Sequence, residues 1–234
     1  MKQNKQFTFA YNPLFRVIAT WVWFFVGAAL TVLIILAIQG VQLASASEVL
    51  AGKKVYLAVY IEIVSVGLLP LLFTLICRDE LAQYGLARQG LAKSLLLSSL
   101  FVMVMFGFGY LMTGRLMTDS RPTLQLDFPW NLWYGLLGII AWGPLEVFFF
   151  VWLVVNTDNI FKGKVRANPW GLIITVVLFA LAHILTTDIR NAIYTGAIFL
   201  VLGLIYKYTR NIVGLMIAWT LINGQVWYIA RLLF

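Results

Sequence analysis

Charged side chains are scarce in this chain, and their scarcity excludes a soluble domain. They make up 11% of the 234 residues, while 62% of the residues are hydrophobic. A soluble domain has roughly 25% charged residues, so we predict an integral membrane protein. The predicted partners therefore include the lipid bilayer. The basic residues behind the net charge of +8 sit mostly in loops. That placement follows membrane topology and argues against nucleic acid as a partner.

Cysteine and histidine occur once each, as Cys77 and His183. One cysteine forms neither an internal disulfide nor a cysteine-based metal site, and a catalytic zinc ion needs about three protein ligands. Glycine-rich phosphate loops and a Gly-x-Ser-x-Gly motif are also missing from the sequence. We therefore predict neither a metal nor a cofactor.

The apolar residues form seven runs, each near the roughly 20 residues with which a helix crosses the hydrocarbon core. The first run exceeds the apolar part of a secretory signal, about 7–15 residues, so we predict an uncleaved span. Long runs without alternation exclude a transmembrane β-barrel. The fold class predicted is all-α, a polytopic membrane helix bundle of about seven helices. The predicted spans are Arg16–Gly40, Val55–Cys77, Ser94–Thr113, Pro129–Val155, Trp170–Thr187, Asn191–Tyr206 and Asn211–Phe234.

The basic residues also predict an orientation. With the N-terminus inside, eleven lysines and arginines fall in inner segments and six in outer ones. Inner segments of membrane proteins collect these residues, so we predict a cytoplasmic N-terminus. We expect a turn at residues 156–159 to end the fourth span, before a basic loop with Lys162, Lys164 and Arg166. Short loops and the missing targeting signal favour a prokaryotic plasma membrane.

One acid, Glu146, interrupts the otherwise uncharged residues 128–157. A carboxylate at such depth costs roughly a few kcal/mol or more, so it normally faces a bundle interior or a wet cavity and marks function. Pro144 removes a helix hydrogen bond nearby and is expected to kink the segment. The alternative is a protonated carboxyl bonded to a neighbouring helix. Glu62, in the second span, is another intramembrane acid. Its alternative roles are a structural hydrogen bond, modulation of the site or part of a separate proton path.

His183 and Asn223 share the predicted depth of Glu146. Counted from the inner ends of their spans, the three lie roughly 20, 18 and 15 Å deep, near the middle of a core about 30 Å thick. Buried polar groups need partners, so we predict a small hydrated pocket shared by the acid and the imidazole. The alternatives are a core histidine bonded to a backbone carbonyl and an amide that joins two helices.

A glutamate and a histidine in such a pocket can activate water. The carboxylate acts as the base, and the imidazole shares the proton or positions the water. An amide N–H donor such as that of Asn223 can bind the oxyanion that develops on an attacked carbonyl.

Three motifs resemble those of the CAAX-protease and bacteriocin-processing (CPBP) intramembrane glutamic endopeptidases. The family pattern is Glu-Glu-x-x-x-Arg, then Phe-x-x-x-His, then His-x-x-x-Asn, on separate helices of a membrane bundle. Residues 146–151 resemble the first motif, Phe179–His183 match the second in full, and residues 219–223 resemble the third. The connector Leu81–Arg88 is similar to a Gly-Leu-Arg linker common in the family.

The resemblance implies roles for the residues kept from the motifs. Glu146 would be the base, His183 its partner and Asn223 part of the oxyanion site. It also divides the chain into two N-terminal spans, residues 1–79, and an endopeptidase-like core, residues 80–234.

Three positions depart from the family pattern. Val147 stands in place of the second glutamate, Val151 in place of the arginine and Trp219 in place of the histidine. Losing one oxyanion donor costs about 100- to 1000-fold in rate. The indole N–H of Trp219, one turn from Asn223, is expected to replace that donor in part. We count Trp219, Phe179 and Glu62 as supporting residues.

Three functions follow from these observations. The first is a peptide-bond hydrolase, an intramembrane endopeptidase acting on a membrane-associated protein or peptide. The second is a degenerate member of the same family that binds a membrane partner without cleaving it. The third is a small transporter that moves protons through Glu62 and Glu146, for which the sequence offers no inverted repeats.

Overall fold

A computed structural model describes residues 9–43, 55–114, 126–161, 168–186 and 188–223, and all regular elements in these ranges are helical. Five helices are long and apolar enough to cross a membrane, and two are shorter. The predicted all-α membrane helix bundle is confirmed for this part of the chain. In order, the helices are α1 (Pro13–Gln39), α2 (Ala58–Ile76), α3 (Leu91–Thr113), α4 (Trp130–Ile160), α5 (Trp170–Thr186), α6 (Ile189–Thr209) and α7 (Val213–Ile222).

Local sequence signals set several helix ends. Asn12 caps α1, because its Oδ1 accepts the N–H of Leu14 at 2.9 Å, and Pro13 occupies the first helical position. Asp188 caps α6 in the same way by accepting the N–H of Asn191 at 2.9 Å. These caps satisfy N–H groups that have no partner inside the helix.

The turn predicted at residues 156–159 is wrong, because α4 continues to Ile160. Asn156 Nδ2 donates to a carbonyl one turn earlier in the same helix at 2.8 Å. Asp158 Oδ1 accepts the N–H of Gly171, at the start of α5, at 3.0 Å. Asn and Asp favour turns when they bond to the backbone around them. Here the Asn156 side chain bonds within α4 and the Asp158 side chain bonds to α5, so neither ends α4.

Some predictions fall outside the described residues. These are the basic loop with Lys162, Lys164 and Arg166 and the seventh span beyond Asn223, together with residues 44–54 and 115–125, which lie between predicted spans. The cytoplasmic N-terminus therefore stays a prediction, and so does the division of the chain at residue 79.

The described residues form two compact units, each drawn from three parts of the chain. Unit 1 takes its residues from the ranges 1–21, 70–98 and 148–215. Unit 2 takes its residues from the ranges 22–69, 99–147 and 216–234.

An aromatic cluster forms the core of unit 1 where α5 packs on α6. The Phe179 ring lies 4.5 Å from that of Phe199 and 5.9 Å from that of Phe150, measured between centroids. All three side chains are buried. Gly203 allows the close approach, because a Cβ at this position would overlap the side chain of Leu172.

A buried ion pair holds the start of α1 in unit 1. Arg16 donates to both carboxylate oxygens of Asp79, at 2.9 and 3.2 Å, and its Nε donates to the Ala10 carbonyl at 2.6 Å. The Tyr84 hydroxyl donates to Asp79 at 2.6 Å. Burial raises the pKa of Tyr84 above its ordinary value, and the bond to Asp79 acts in the same direction. A bidentate guanidinium–carboxylate pair is among the stronger polar contacts in proteins.

The connector before α3 is fastened to the turn that joins α6 to α7. Asn211 Nδ2 donates to the carbonyls of Ala87 and Gln89, at 2.5 and 3.1 Å, and the Ile212 N–H donates to the Gly85 carbonyl at 3.1 Å. Asn211 is fully buried. The segment that resembles the family linker is therefore an anchored part of unit 1.

Replacing Gly90 by alanine is expected to destabilise unit 1. Gly90 has a φ of +71°, and a Cβ there would overlap the carbonyl oxygen of Thr209. Gly40 is the matched control, with a φ of +63° and open space around its Cα. Both variants bear the cost of a left-handed non-glycine residue, so their difference measures the clash. Denaturant unfolding in micelles should show Gly90→Ala less stable than Gly40→Ala by about 1–3 kcal/mol. Equal stabilities would contradict this packing.

Candidate functional site

A π-helical turn in α4 precedes the intramembrane acid. It covers Ala141–Leu145 and contains Pro144. The N–H of Glu146 bonds to the Ala141 carbonyl, five residues earlier, and to that of Gly143. The kink predicted near the proline takes this form, a widened turn within a continuous helix. Such turns are rare and often occur at functional sites.

A second π-helical turn lies in α2. It covers Ile63–Leu68 and follows directly on Glu62, which is half-buried. The two turns pack on each other within unit 2, where a Cβ on Gly67 would lie 3.3 Å from the Leu145 side chain. Both intramembrane acids of the sequence analysis therefore border a π-helical turn.

The carboxylate of Glu146 is bonded to an indole. Trp219 Nε1 donates to Glu146 Oε2 at 2.6 Å, and the two residues are only 5% and 4% exposed. A hydrogen bond of this length from an N–H group to a carboxylate is a strong polar contact in an apolar environment. Sequence reasoning assigned Trp219 to the oxyanion instead. The spacing of Trp219 to the motif asparagine indicated that it lies at the site, but not which group it contacts.

Asn223 lies one turn after Trp219. Its N–H bonds to the Trp219 carbonyl at 2.8 Å, which continues the helical pattern of α7. Its Nδ2 lies 3.4 Å from the carbonyl oxygen of Trp142, in the π-helical turn of α4. The predicted oxyanion donor, Asn223, thus contacts the stretch of α4 that carries the predicted base, Glu146, within unit 2.

A glycine lets these parts of α4 and α7 approach each other. A Cβ on Gly143 would overlap Oγ1 of Thr220, the residue next to Trp219. Thr220 Oγ1 donates to the Met216 carbonyl at 2.7 Å, so its side chain is fixed on its own helix.

Replacing Gly143 by alanine is expected to push the two helices apart and weaken the bond from Trp219 to Glu146. Overpacking of this kind costs about 1–3 kcal/mol, which denaturant unfolding in micelles would measure. Adding Thr220→Ala removes the clashing hydroxyl and should recover most of the loss. Gly107→Ala is the control, since nothing lies within 4 Å of a Cβ at that helical glycine. A Gly143→Ala variant as stable as Gly107→Ala would contradict the contact.

His183 lies on α5, in unit 1. Its Nδ1 is 2.8 Å from the Phe179 carbonyl, and its ring centroid is 4.8 Å from that of Phe179. A carbonyl oxygen only accepts, so Nδ1 carries the proton in this bond and Nε2 is the acceptor nitrogen of the neutral ring. Phe179 of the second motif therefore fixes the tautomer of the histidine as well as packing in the core. The pairing of His183 with Glu146 stays a prediction.

Two of the family positions are filled by buried aliphatic side chains. Val147 and Val151, where the family has a glutamate and an arginine, are both buried. The first motif therefore contributes Glu146 alone as a charged group.

These features define a polytopic helical membrane protein with a buried, hydrogen-bonded carboxylate. Residues 128–225 match the family described as type II CAAX prenyl endopeptidase Rce1-like. The resemblance to CPBP endopeptidases carried by the three motifs is thereby confirmed, since the matched segment contains all of them. No curated protein and no solved structure matches the chain.

Proposed function

We propose that the chain is an intramembrane endopeptidase in which Glu146 activates water to cleave a membrane-associated protein or peptide. The observation that carries this proposal is the buried Glu146 carboxylate, bonded to Trp219 at the end of a π-helical turn within the family segment. An acid at this depth is costly for a helix, and the indole that donates to it comes from the third family motif.

In the proposed reaction, Glu146 takes a proton from a water molecule as that water attacks the carbonyl carbon of the peptide bond. The carbonyl becomes a tetrahedral oxyanion, which the Asn223 amide stabilises by donating a hydrogen bond. The intermediate then collapses, the C–N bond breaks, and the proton passes from Glu146 to the leaving amine. The products are a carboxylic acid and an amine.

His183 is the proposed partner of Glu146 in holding the water. Its support is the complete Phe-x-x-x-His motif and the matching depth predicted from sequence.

A membrane protein that binds a partner without cleaving it is the second candidate. The observations in its favour are the aliphatic Val147 and Val151 at charged motif positions and the indole N–H on Glu146. The two functions differ in whether peptide bonds are broken.

The test is hydrolysis in proteoliposomes that contain the purified protein and membrane-tethered peptides, with and without a prenyl group. Cleavage detected by mass spectrometry, with a defined scissile bond, supports the endopeptidase. Saturable binding of a peptide without any cleavage would overturn it in favour of the second candidate.

A further inference from the structure

We infer that Trp219 is a positioning residue, whose indole N–H holds the Glu146 carboxylate in the orientation in which it takes the proton from water. This inference rests on the proposed function, and it assigns the orientation of the carboxylate to one neighbouring side chain. It also gives Trp219 a role different from the oxyanion donor expected from the sequence.

The chemistry of the indole carries the first step. An indole N–H donates and has no acceptor nitrogen, so its bond to Oε2 at 2.6 Å requires a lone pair on that oxygen. The bond therefore fixes the orientation of the carboxylate that takes the proton from water.

The family histidine at this position offers a donor to the acid in only one of its two tautomers. A neutral imidazole has one donor and one acceptor nitrogen, and its tautomer decides which faces the acid. Trp219 removes that freedom, because it presents a donor in every state. The substitution thus exchanges a titratable neighbour for a fixed one.

Packing keeps the indole where the bond needs it. Trp219 is 5% exposed. Its neighbour Thr220 abuts Gly143, three residues before the carboxylate, so the helix that carries the indole sits close to α4 at this level. The Trp219 carbonyl accepts the Asn223 N–H at 2.8 Å, which fixes the same turn of α7. Since the indole N–H is on the carboxylate, Asn223 is the amide donor that this turn offers to an oxyanion.

Ultraviolet resonance Raman spectroscopy tests the bond without any need for catalysis. The indole band that reports N–H hydrogen bonding is compared between wild type and Glu146→Gln. To isolate the band of Trp219, the spectrum of each protein is corrected by subtracting that of the same protein carrying Trp219→Phe. We expect the Trp219 band to shift towards a weaker hydrogen bond in Glu146→Gln. Trp133 is the control, because its Nε1 donates to the Tyr60 hydroxyl at 2.7 Å and not to Glu146. Its band, isolated in the same way with Trp133→Phe, should be the same in wild type and in Glu146→Gln. An unchanged Trp219 band would overturn the inference.

Kinetics test the consequence for the reaction. Trp219→Phe is expected to lower kcat by about 10- to 100-fold, the range for one lost hydrogen bond to a charged group, with KM unchanged. Trp219→His, which keeps an N–H donor, should recover most of that loss. In a Glu146→Gln background Trp219→Phe should have no further effect, because it acts through the carboxylate. A rise in KM alone, or no recovery with histidine, would overturn the positioning role. If wild type cleaves no peptide, the proposed function fails, while the Raman result still decides the bond.

Discussion

Replacing Glu146 by glutamine is expected to lower kcat for peptide hydrolysis by about 10²- to 10⁴-fold, the usual contribution of a general base. Glutamine has nearly the same shape, and its amide oxygen can still accept the Trp219 N–H, so the packing around residue 146 is kept. It cannot take a proton from water. The measurement is the initial rate of cleavage of a membrane-tethered peptide in proteoliposomes at saturating substrate.

Glu80→Gln is the matched control for this variant. Glu80 is an exposed acid in the connector before α3, so the same chemical change there should leave kcat and KM as in wild type. The circular dichroism spectrum and unfolding midpoint of both variants should match the wild type. Full activity of Glu146→Gln would exclude the carboxylate as the base, whatever the rate of the control.

Replacing Asn223 by alanine is expected to have the second largest effect, a fall in kcat of about 10²- to 10³-fold. This is the usual result of removing one oxyanion donor. The loss should fall on kcat with little change in KM, because the oxyanion forms only after substrate is bound. Kinetics with the same tethered peptide separate the two constants.

The control for that change is Asn159→Ala. Asn159 lies exposed near the end of α4, so removal of its amide should leave the kinetics unaltered. Asn223 also contacts the Trp142 carbonyl at 3.4 Å, and losing that contact alone would lower stability and leave kcat intact. A variant with reduced unfolding midpoint and normal kcat would therefore show that Asn223 joins helices and stabilises no oxyanion.

Much of the fold, and Glu146 as the candidate base, could be predicted from the sequence. The cost of charge in hydrocarbon acts residue by residue, so long uncharged runs predict membrane helices without knowledge of their packing. The same local cost made Glu146 stand out among residues 128–157. The three motifs then placed it in a family, which the match over residues 128–225 confirms.

Contacts that depend on how helices rotate and pack could not be predicted in this way. The bond of Trp219 to Glu146 depends on which side of α7 faces the carboxylate, and the motif spacing leaves this open. Pro144 predicted a disturbance of α4, but not that it would be a widened turn with unbroken helix on both sides. Asp158 indicated a turn in the sequence, because its partner Gly171, on the next helix, is known only from the structure.

The missing charged residues of the first motif give a physical reason for Trp219 to matter. With Val147 and Val151 buried in place of a glutamate and an arginine, the first motif supplies no cation to orient Glu146. The indole N–H is a neutral donor that does so without introducing a second buried charge, which would carry its own desolvation cost.

The origin of the oxygen that enters the cleaved bond tests the central claim most directly. Wild-type protein in proteoliposomes is allowed a single turnover of a tethered peptide in H₂¹⁸O, and both product and protein are analysed by mass spectrometry. In the proposed reaction, water activated by Glu146 attacks the carbonyl carbon. We therefore predict ¹⁸O in the new carboxyl group of the product and none in the peptide that contains Glu146. Label in the Glu146 carboxylate would contradict the account, because it would mean that this carboxylate attacks the substrate itself.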